Sequence, residues 1–467
     1  MDAGKDALKL EKRRILLAGT GSGCGKTTIT AGLLQCLQDR GLRAAAFKCG
    51  PDYIDPMFHE RVTGRPSVNL DPFFCSEHDL RQMMASGSAG SDILVAEGVM
   101  GYYDGVGFSA RYSTYEVAAA TETPVILIVN CRGLGASAVA VLKGFLDWPA
   151  ADSLIRGVIF NQLPERLYPE ASAMARRLGV TPVGYIPSDS RLSLRSRHLG
   201  LVTAEEVEDF DRKIRLLAET MKATVDLDAV LEIADSAPAA DAGTAPFAGA
   251  EPAEAGPVIA VAKDRAFCFM YRENLTMLER LGCRLEYFSP LRDSVLPEGT
   301  QGILLSGGYP ELHVAALSAN TAMLQSIRKA AAAGMPILAE CGGFMYLHNT
   351  LEGEDGIVYP MAGVIDGDCF AAGRLTRFGY VTATAKKDGL LGKTGMQFRG
   401  HEFHYWDSTA AGSDFRADKP DGSRSWDCGF HTETMYAGFP HLHFRACPEV
   451  CVRFAEKCAA FRPSEDC

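Results

Sequence analysis

The stretch Pro336–Leu347 reads PILAECGGFMYL, and it constrains the chain more than any other segment. Apolar and small residues run into Glu340, Cys341, Gly342 and Gly343, and a second apolar segment follows. That pattern predicts a strand, a sharp turn and a helix, with Cys341 at the apex. Such a turn occupies sparsely allowed backbone space, so its neighbours must be small. A helix starting just after the thiol would favour the reactive thiolate. A glycine-rich phosphate loop lies far upstream in the same chain. An activated cysteine and a nucleotide site together suggest two coupled reactions.

The chain has 467 residues, enough for two or three domains of about 150 residues each. Hydrophobic residues make up 47% and charged residues 22%, an ordinary globular mix. A net charge of −11 argues against nucleic acid as the main partner, because phosphate backbones demand basic surfaces. Local basic pockets for anionic substrates stay compatible with it. No apolar run reaches the roughly 18 residues of a membrane span, so no membrane partner is expected. The N-terminal MDAGKDALKLEKRR lacks the apolar centre of a signal peptide. Fourteen scattered cysteines, none in C-x-x-C spacing, are read as reduced thiols in the cytoplasm.

The expected fold class is α/β, with two domains that are each a mostly parallel sheet flanked by helices. In residues 13–234 short apolar runs alternate with helical stretches. Strands are expected at Arg14–Ala18, Ala44–Lys48, Asp92–Ala96, Pro124–Asn130, Gly157–Asn161 and Val183–Ile186. Continuous apolar runs of this kind suit strands buried on both faces. Residues 235–256, DSAPAADAGTAPFAGAEPAEAG, lack large apolar side chains and are read as a mobile linker. Strand–helix patterning resumes at Val258, which gives a second α/β domain over 257–467.

ILLAGTGSGCGKTT (Ile15–Thr28) is read as a phosphate loop. Thr20, Gly21, Gly23 and Gly25 would bring the backbone close to phosphate oxygens, and the helix expected over Thr28–Asp39 would add positive potential. Lys26 would reach the β- and γ-phosphates, and the Thr27 hydroxyl would bind magnesium. The strict pattern calls for glycine where this chain has Thr20, with Gly19 one residue earlier. That variant resembles the loop of the dethiobiotin-synthetase-like branch of P-loop proteins. Mg2+ needs carboxylate oxygens near the phosphates. Asp52 in FKCGPDYIDP and Glu97 in DILVAEG stand at carboxyl ends of expected strands, where α/β proteins bind ligands. Asp104 in MGYYDGVG is a further candidate, with a turn carboxylate as its alternative.

A thiol nucleophile needs a base within hydrogen-bond reach. Histidines gather near the C-terminus: His401 and His404 in RGHEFHYW, His431, and His441 and His443 in GFPHLHF. Without companion cysteines or carboxylates at ligand spacing they are weak evidence for a metal. Gly307 and Gly308, in ILLSGGYPELH after another expected strand, offer amides for an oxyanion hole.

The segments GTGSGCGKTT, FKCGPDYIDPMFH, LVAEGVMGYYDG, SGGYPELH, ILAECGGFMYL, RGHEFHY and HLHF together resemble the cobyrinic acid a,c-diamide synthase family over nearly the whole chain. The resemblance implies a dethiobiotin-synthetase-like ATP domain joined to a class I glutamine amidotransferase domain of the Cys–His type. It implies that Cys341 attacks the side-chain amide of L-glutamine and releases ammonia. ATP would phosphorylate the a and c acetate carboxylates of a corrin ring, and ammonia would displace phosphate. The two domains would then be expected to face one another. Related amidotransferases carry the base in a Y-L-H-type motif, which Gly438, Phe439, Pro440 and His441 match. The resemblance therefore favours His441 over His443, with Gly308 at the oxyanion. His443 stands where triad-type relatives carry glutamate, which leaves open what orients His441. His401 and His404 are expected to be substrate or structural residues, and Arg374, Arg377 and Arg399 are guesses for the macrocycle. A homodimer is one expectation for the assembly. Hydrogenobyrinate and nickel-sirohydrochlorin are alternative rings. A thiol hydrolase would need no ATP, and a non-catalytic P-loop switch would use no glutamine.

Overall fold

The computed structural model describes residues 8–11, 13–148, 152–192, 209–243 and 256–462. The chain divides into two compact units at residues 246–247. No helix among the described residues is long and apolar enough to cross a membrane.

The first unit is built on a seven-stranded parallel sheet. Its order is Val68–Leu70, Ala44–Cys49, Ile93–Glu97, Arg14–Gly19, Val125–Asn130, Ile155–Asn161, Thr181–Ile186. All six strands expected from the sequence are present, within two residues at each end. Leu16, Leu17, Val95, Ile126, Leu127 and Ile128 are fully buried, which explains why these strands read as unbroken apolar runs; each such side chain contributes about 1.5–3 kcal/mol. Val68–Leu70 is only three residues long, too short to carry a pattern.

Part of the expected linker belongs to this unit. Ala240–Gly243 pairs antiparallel with Leu8–Leu10, so the domain also begins before residue 13. Buried Arg14 ties the two together. Its guanidinium donates to the carbonyls of Pro238 at 2.6 Å, Leu10 at 3.3 Å, Thr121 at 3.1 Å and Glu122 at 3.3 Å, and burial lowers its pKa to about 10. Ala240 and Ala242 are small enough to pack flat, which a search for large apolar side chains does not register. The rest of that stretch, 244–255, lies outside the described residues.

The second unit has a six-stranded central sheet. Its order is Arg284–Phe288, Val258–Ala262, Thr300–Leu305, Ile337–Glu340, Met435–Gly438, Phe430–His431, parallel except for the last pair. Two further sheets, of four and five strands, are formed between residues 348 and 442. The sequence reading does not anticipate them. Their signal is alternation: along Arg377–Ala385, Val381, Ala383 and Ala385 are buried while the residues between them are not, as half-buried strands require. The path from Met435–Gly438 to His441–Leu442 leaves the central sheet and joins the five-stranded one, where His441 pairs with His401. Pro440 sits at that corner, where its missing N–H costs no ladder bond.

Candidate functional site

The phosphate loop follows the central strand Arg14–Gly19 and runs into the helix Lys26–Asp39. Gly23 and Gly25 have φ of 71° and 97°, the left-handed region where glycine is strain-free. A Cβ on Gly25 would meet Asn161 Nδ2 at 2.4 Å, and one on Gly19 would meet Cys24 Sγ at 2.2 Å. Asn161 Nδ2 donates to Cys24 O at 2.8 Å and braces the loop from the strand next but one in the sheet. Lys26 Nζ donates to Gly21 O at 3.0 Å and Met100 O at 2.5 Å; burial, the largest influence, lowers its pKa. Thr20 donates its N–H to Ile128 O at 3.2 Å. Gly21 lies at the open side of the loop, where a Cβ would meet nothing within 4 Å.

Thr27 Oγ1 donates to Glu97 Oε1 at 2.8 Å, which brings two of the three expected magnesium ligands together. Around Glu97 is a cluster that the sequence reading misses. Fully buried Lys48 donates to Glu97 Oε1 at 3.0 Å and Gly98 O at 2.9 Å, and pairs with Asp55 Oδ2 at 2.5 Å. His59 joins Glu97 Oε2 at 2.6 Å to Ser67 Oγ at 3.1 Å. Burial opposes the Lys48 charge, but Asp55, Glu97 and Asp52 outweigh it and raise its pKa. Burial likewise opposes ionisation of Glu97, and Lys48 and His59 hold its pKa low. Asp55 is pushed well up by burial, Asp52 and Glu97. Asp55, Glu97 and Asp52 thus all act on one lysine.

Asp52 accepts from the N–H groups of Ile54 at 2.8 Å and Asp55 at 3.1 Å through Oδ1, capping the helix Ile54–Thr63. No group of three or more His, Cys, Asp or Glu among the described residues is arranged to hold a metal by itself. Magnesium with a nucleotide needs only one or two protein carboxylates, so the hard oxygens of Thr27, Asp52 and Glu97 still fit. Asp104 differs from expectation. It is exposed, and Oδ2 accepts from Gly101 N at 2.8 Å within a turn, so the turn alternative describes it. The signal for Lys48 is a lysine closing an otherwise apolar strand.

In the second unit, the strand Ile337–Glu340 ends at Cys341, and a five-residue helix, Gly342–Tyr346, begins next. Cys341 has φ 46° and ψ −101°, a strain of about 1–3 kcal/mol concentrated at the reactive residue. A Cβ on Gly343 would meet Leu305 O at 2.3 Å, and one on Gly342 would meet Pro310 Cδ at 2.9 Å and Gly308 N at 3.0 Å. Two glycines therefore let the turn press against the loop that carries the expected oxyanion amides. The thiol departs from expectation: burial, then Glu311, pushes its pKa well up. A five-residue helix does not offset that desolvation, so Cys341 rests as a thiol and needs a base.

His441 lies against the Gly307–Gly308 loop, where a Cβ on Gly307 would meet its ring at 2.2 Å. His441 Nδ1 is 3.5 Å from Glu340 Oε2, and Glu340 Oε1 accepts from Leu442 N at 3.0 Å. His443 instead packs on Tyr271, ring centroids 4.8 Å apart. His404 stacks on Phe439 at 3.8 Å and donates from Nδ1 to Trp406 O at 2.6 Å, a structural role. His401 lies opposite His441, and burial pushes it down to about 3. His431 Nε2 accepts from Leu391 N at 3.0 Å. Arg377 lies over Trp426 at 4.9 Å, while Arg374 and Arg399 are exposed.

Gly308 has φ 155°, and a Cβ there would meet Ala266 O at 2.1 Å. Gly308→Ala is expected to cost about 2 kcal/mol, read as a lower denaturant midpoint, and to slow any reaction at Cys341. An unchanged midpoint would show that the loop relaxes freely.

Residues 15–202 match the CobQ/CobB/MinD/ParA nucleotide binding domain, and residues 258–448 match the CobB/CobQ-like glutamine amidotransferase domain. A cobyrinate a,c-diamide synthase of Salmonella typhimurium is 41% identical, covering 93% of this chain and 96% of its own length. One from Caldanaerobacter subterraneus is 37% identical over 96% and 99%. A hydrogenobyrinate a,c-diamide synthase of Thermobifida fusca is 38% identical over 96% and 98%. A phosphate loop backed by Glu97 and a cysteine elbow whose Glu340 lies 3.5 Å from His441 thus lie in the two domains that these relatives share, and the chain belongs to the cobyrinate a,c-diamide synthase family.

Proposed function

We propose that this chain is an ATP- and glutamine-dependent ligase that amidates the a and c acetate carboxylates of a corrin ring, a step of cobalamin biosynthesis. The carrying observation is that one chain holds both a built phosphate cradle, Gly19–Thr27 beside Glu97, and a strained Cys341 elbow whose preceding residue, Glu340, lies 3.5 Å from His441.

In this reading His441 takes the Cys341 proton and the thiolate attacks the side-chain amide of glutamine. The proton returns to the departing nitrogen, ammonia leaves, and water later releases glutamate from the thioester. The Gly308 amide faces the developing oxyanion. A carboxylate resists ammonia because its charge repels nucleophiles and oxide leaves poorly. Transfer of the γ-phosphoryl group of ATP to the carboxylate removes both obstacles. Lys26 and the loop amides, from Thr20 to Gly25, hold the phosphates. Thr27, Asp52 and Glu97 would hold magnesium, which supplies charge neutralisation on the phosphates. Lys48 and His59 keep Glu97 ionised and aimed at Thr27. The thirteen free cysteines among the described residues support a reducing, cytoplasmic setting.

Mass spectrometry of cobyrinate, hydrogenobyrinate and nickel-sirohydrochlorin, each incubated with ATP, magnesium and glutamine, tests substrate and reaction together. Gain of two amides on cobyrinate is expected. Amidation of another ring alone would reassign the substrate, and no amidation of any ring would refute the reading.

A further inference from the structure

A histidine base works only when its ring is held with the accepting nitrogen toward the nucleophile. Triad-type relatives do this with a glutamate two residues after the histidine. Here that position is His443, whose ring packs on Tyr271 and is pushed down to about 3 by burial and by Arg445. Arg445 itself pairs with Glu273 at 2.6 Å. A neutral imidazole in that setting supplies no negative charge to His441.

Glu340 is placed to supply it. It is the last residue of the strand that presents Cys341, and it is buried. Its Oε2 stands 3.5 Å from His441 Nδ1, and its Oε1 accepts the Leu442 N–H at 3.0 Å. The carboxylate therefore holds the backbone of the following residue and stands within ion-pair range of the ring. Catalytic hydrogen bonds are commonly long before substrate arrives. We propose that Glu340 is the acidic positioning residue of the ammonia-producing site, drawn from the nucleophile's own strand instead of from the position after the base. The proposal rests on the reading of Cys341 and His441 as a glutamine-hydrolysing pair. Glu340 keeps the Nδ1–H tautomer, presents Nε2 as the acceptor of the thiol proton, and stabilises the imidazolium that forms.

The titratable groups around His441 are Glu340 and Cys341 from the central sheet, and His401, Glu402 and His404 from the paired strand Gln397–His404. Burial pushes His401 to about 3, His404 to about 4 and Glu402 to about 7.

Glu340→Gln separates positioning from anchoring. The amide oxygen can still accept from Leu442, which turns the NH2 group toward Nδ1 and imposes the opposite tautomer, with the proton on Nε2. Glutamine hydrolysis by the full chain is expected to lose about 10³–10⁴ in kcat, the scale of a wrong-tautomer substitution, with little change in KM. Alkylation of Cys341 by iodoacetamide should slow in parallel. Ammonia-dependent amidation, which uses the phosphate loop, should persist and shows that the chain is folded. Glu340→Asp should restore part of kcat, and His443→Gln should keep it. Wild-type kcat with an unchanged rate of Cys341 alkylation in Glu340→Gln overturns the proposal and reduces Glu340 to a backbone anchor. A tautomer-sized loss in His443→Gln overturns it in favour of His443. Absence of glutamine hydrolysis by the unsubstituted chain refutes instead the function on which it rests.

Discussion

Replacing Cys341 with Ala should abolish glutamine-dependent amidation while free ammonia still supports it. No other group near the turn replaces a thiol as nucleophile, and loss of the nucleophile in a comparable catalytic set costs about a million-fold in kcat. The substitution is conservative structurally. Cys341 is nearly buried, its backbone already adopts φ 46°, and Ala keeps the Cβ while removing only the sulfur. In the proposed reading the ammonia-driven reaction uses Lys26, Thr27 and Glu97 of the other unit. The measurement is amide formation on the corrin ring with glutamine, and separately with ammonium salt at alkaline pH, where free ammonia is abundant. Loss with both nitrogen sources in a folded variant would show that the two sites are not separable and would refute the division of labour.

The raised pKa of Cys341 bears on how that site works. A thiol held neutral by burial is not a standing nucleophile, so its reactivity needs a local base, the part proposed for His441. The sequence reading overestimates the helix here. It finds the elbow and credits the dipole with activating the sulfur, but the helix has only five residues and the thiol is buried. Desolvation of a thiolate exceeds what one turn of aligned amides returns.

Much of the fold is legible because both central sheets are buried on two faces. Strands such as Ile93–Glu97 then announce themselves as short apolar runs, and a polar residue ending one marks a ligand-facing position. Glu97 stands out in that way, and Thr27 through the loop pattern. Lys48 closes a strand by the same logic, but a lone lysine reads as solvent-exposed by default, and only the structure shows Glu97 and Asp55 meeting its ammonium. Glu340 is hidden differently. It reads as part of a turn signature, and its partner lies a hundred residues later, across a chain path that changes sheets at Pro440. Ala240–Gly243 escapes because strand formation there depends on Arg14 collecting distant carbonyls, a long-range cause with no local pattern. Asp104 shows the converse: a carboxylate near a strand end that caps its own turn.

Replacing Lys26 with Ala should stop amidation from both glutamine and ammonia while leaving glutamine hydrolysis at Cys341 intact. Lys26 Nζ is gathered by Gly21 O and Met100 O, two carbonyls that hold the ammonium in the loop. Burial already disfavours that charge and lowers its pKa, so anionic phosphates entering the cradle would restore what desolvation takes away. The group therefore interacts more strongly as charge shifts during phosphoryl transfer, and its removal is expected to lower kcat by about 10²–10³, the scale of losing one preorganised electrostatic contact. Arginine should not rescue it. Guanidinium geometry differs from that of a point charge. The informative measurement is the ratio of glutamate released to amide formed. Near one in the intact enzyme, it should rise steeply in Lys26→Ala as ammonia is made and wasted. Full amidation in that variant would remove Lys26 from the phosphate site. Coupled loss of glutamine hydrolysis in a folded chain would mean that nucleotide occupancy governs Cys341.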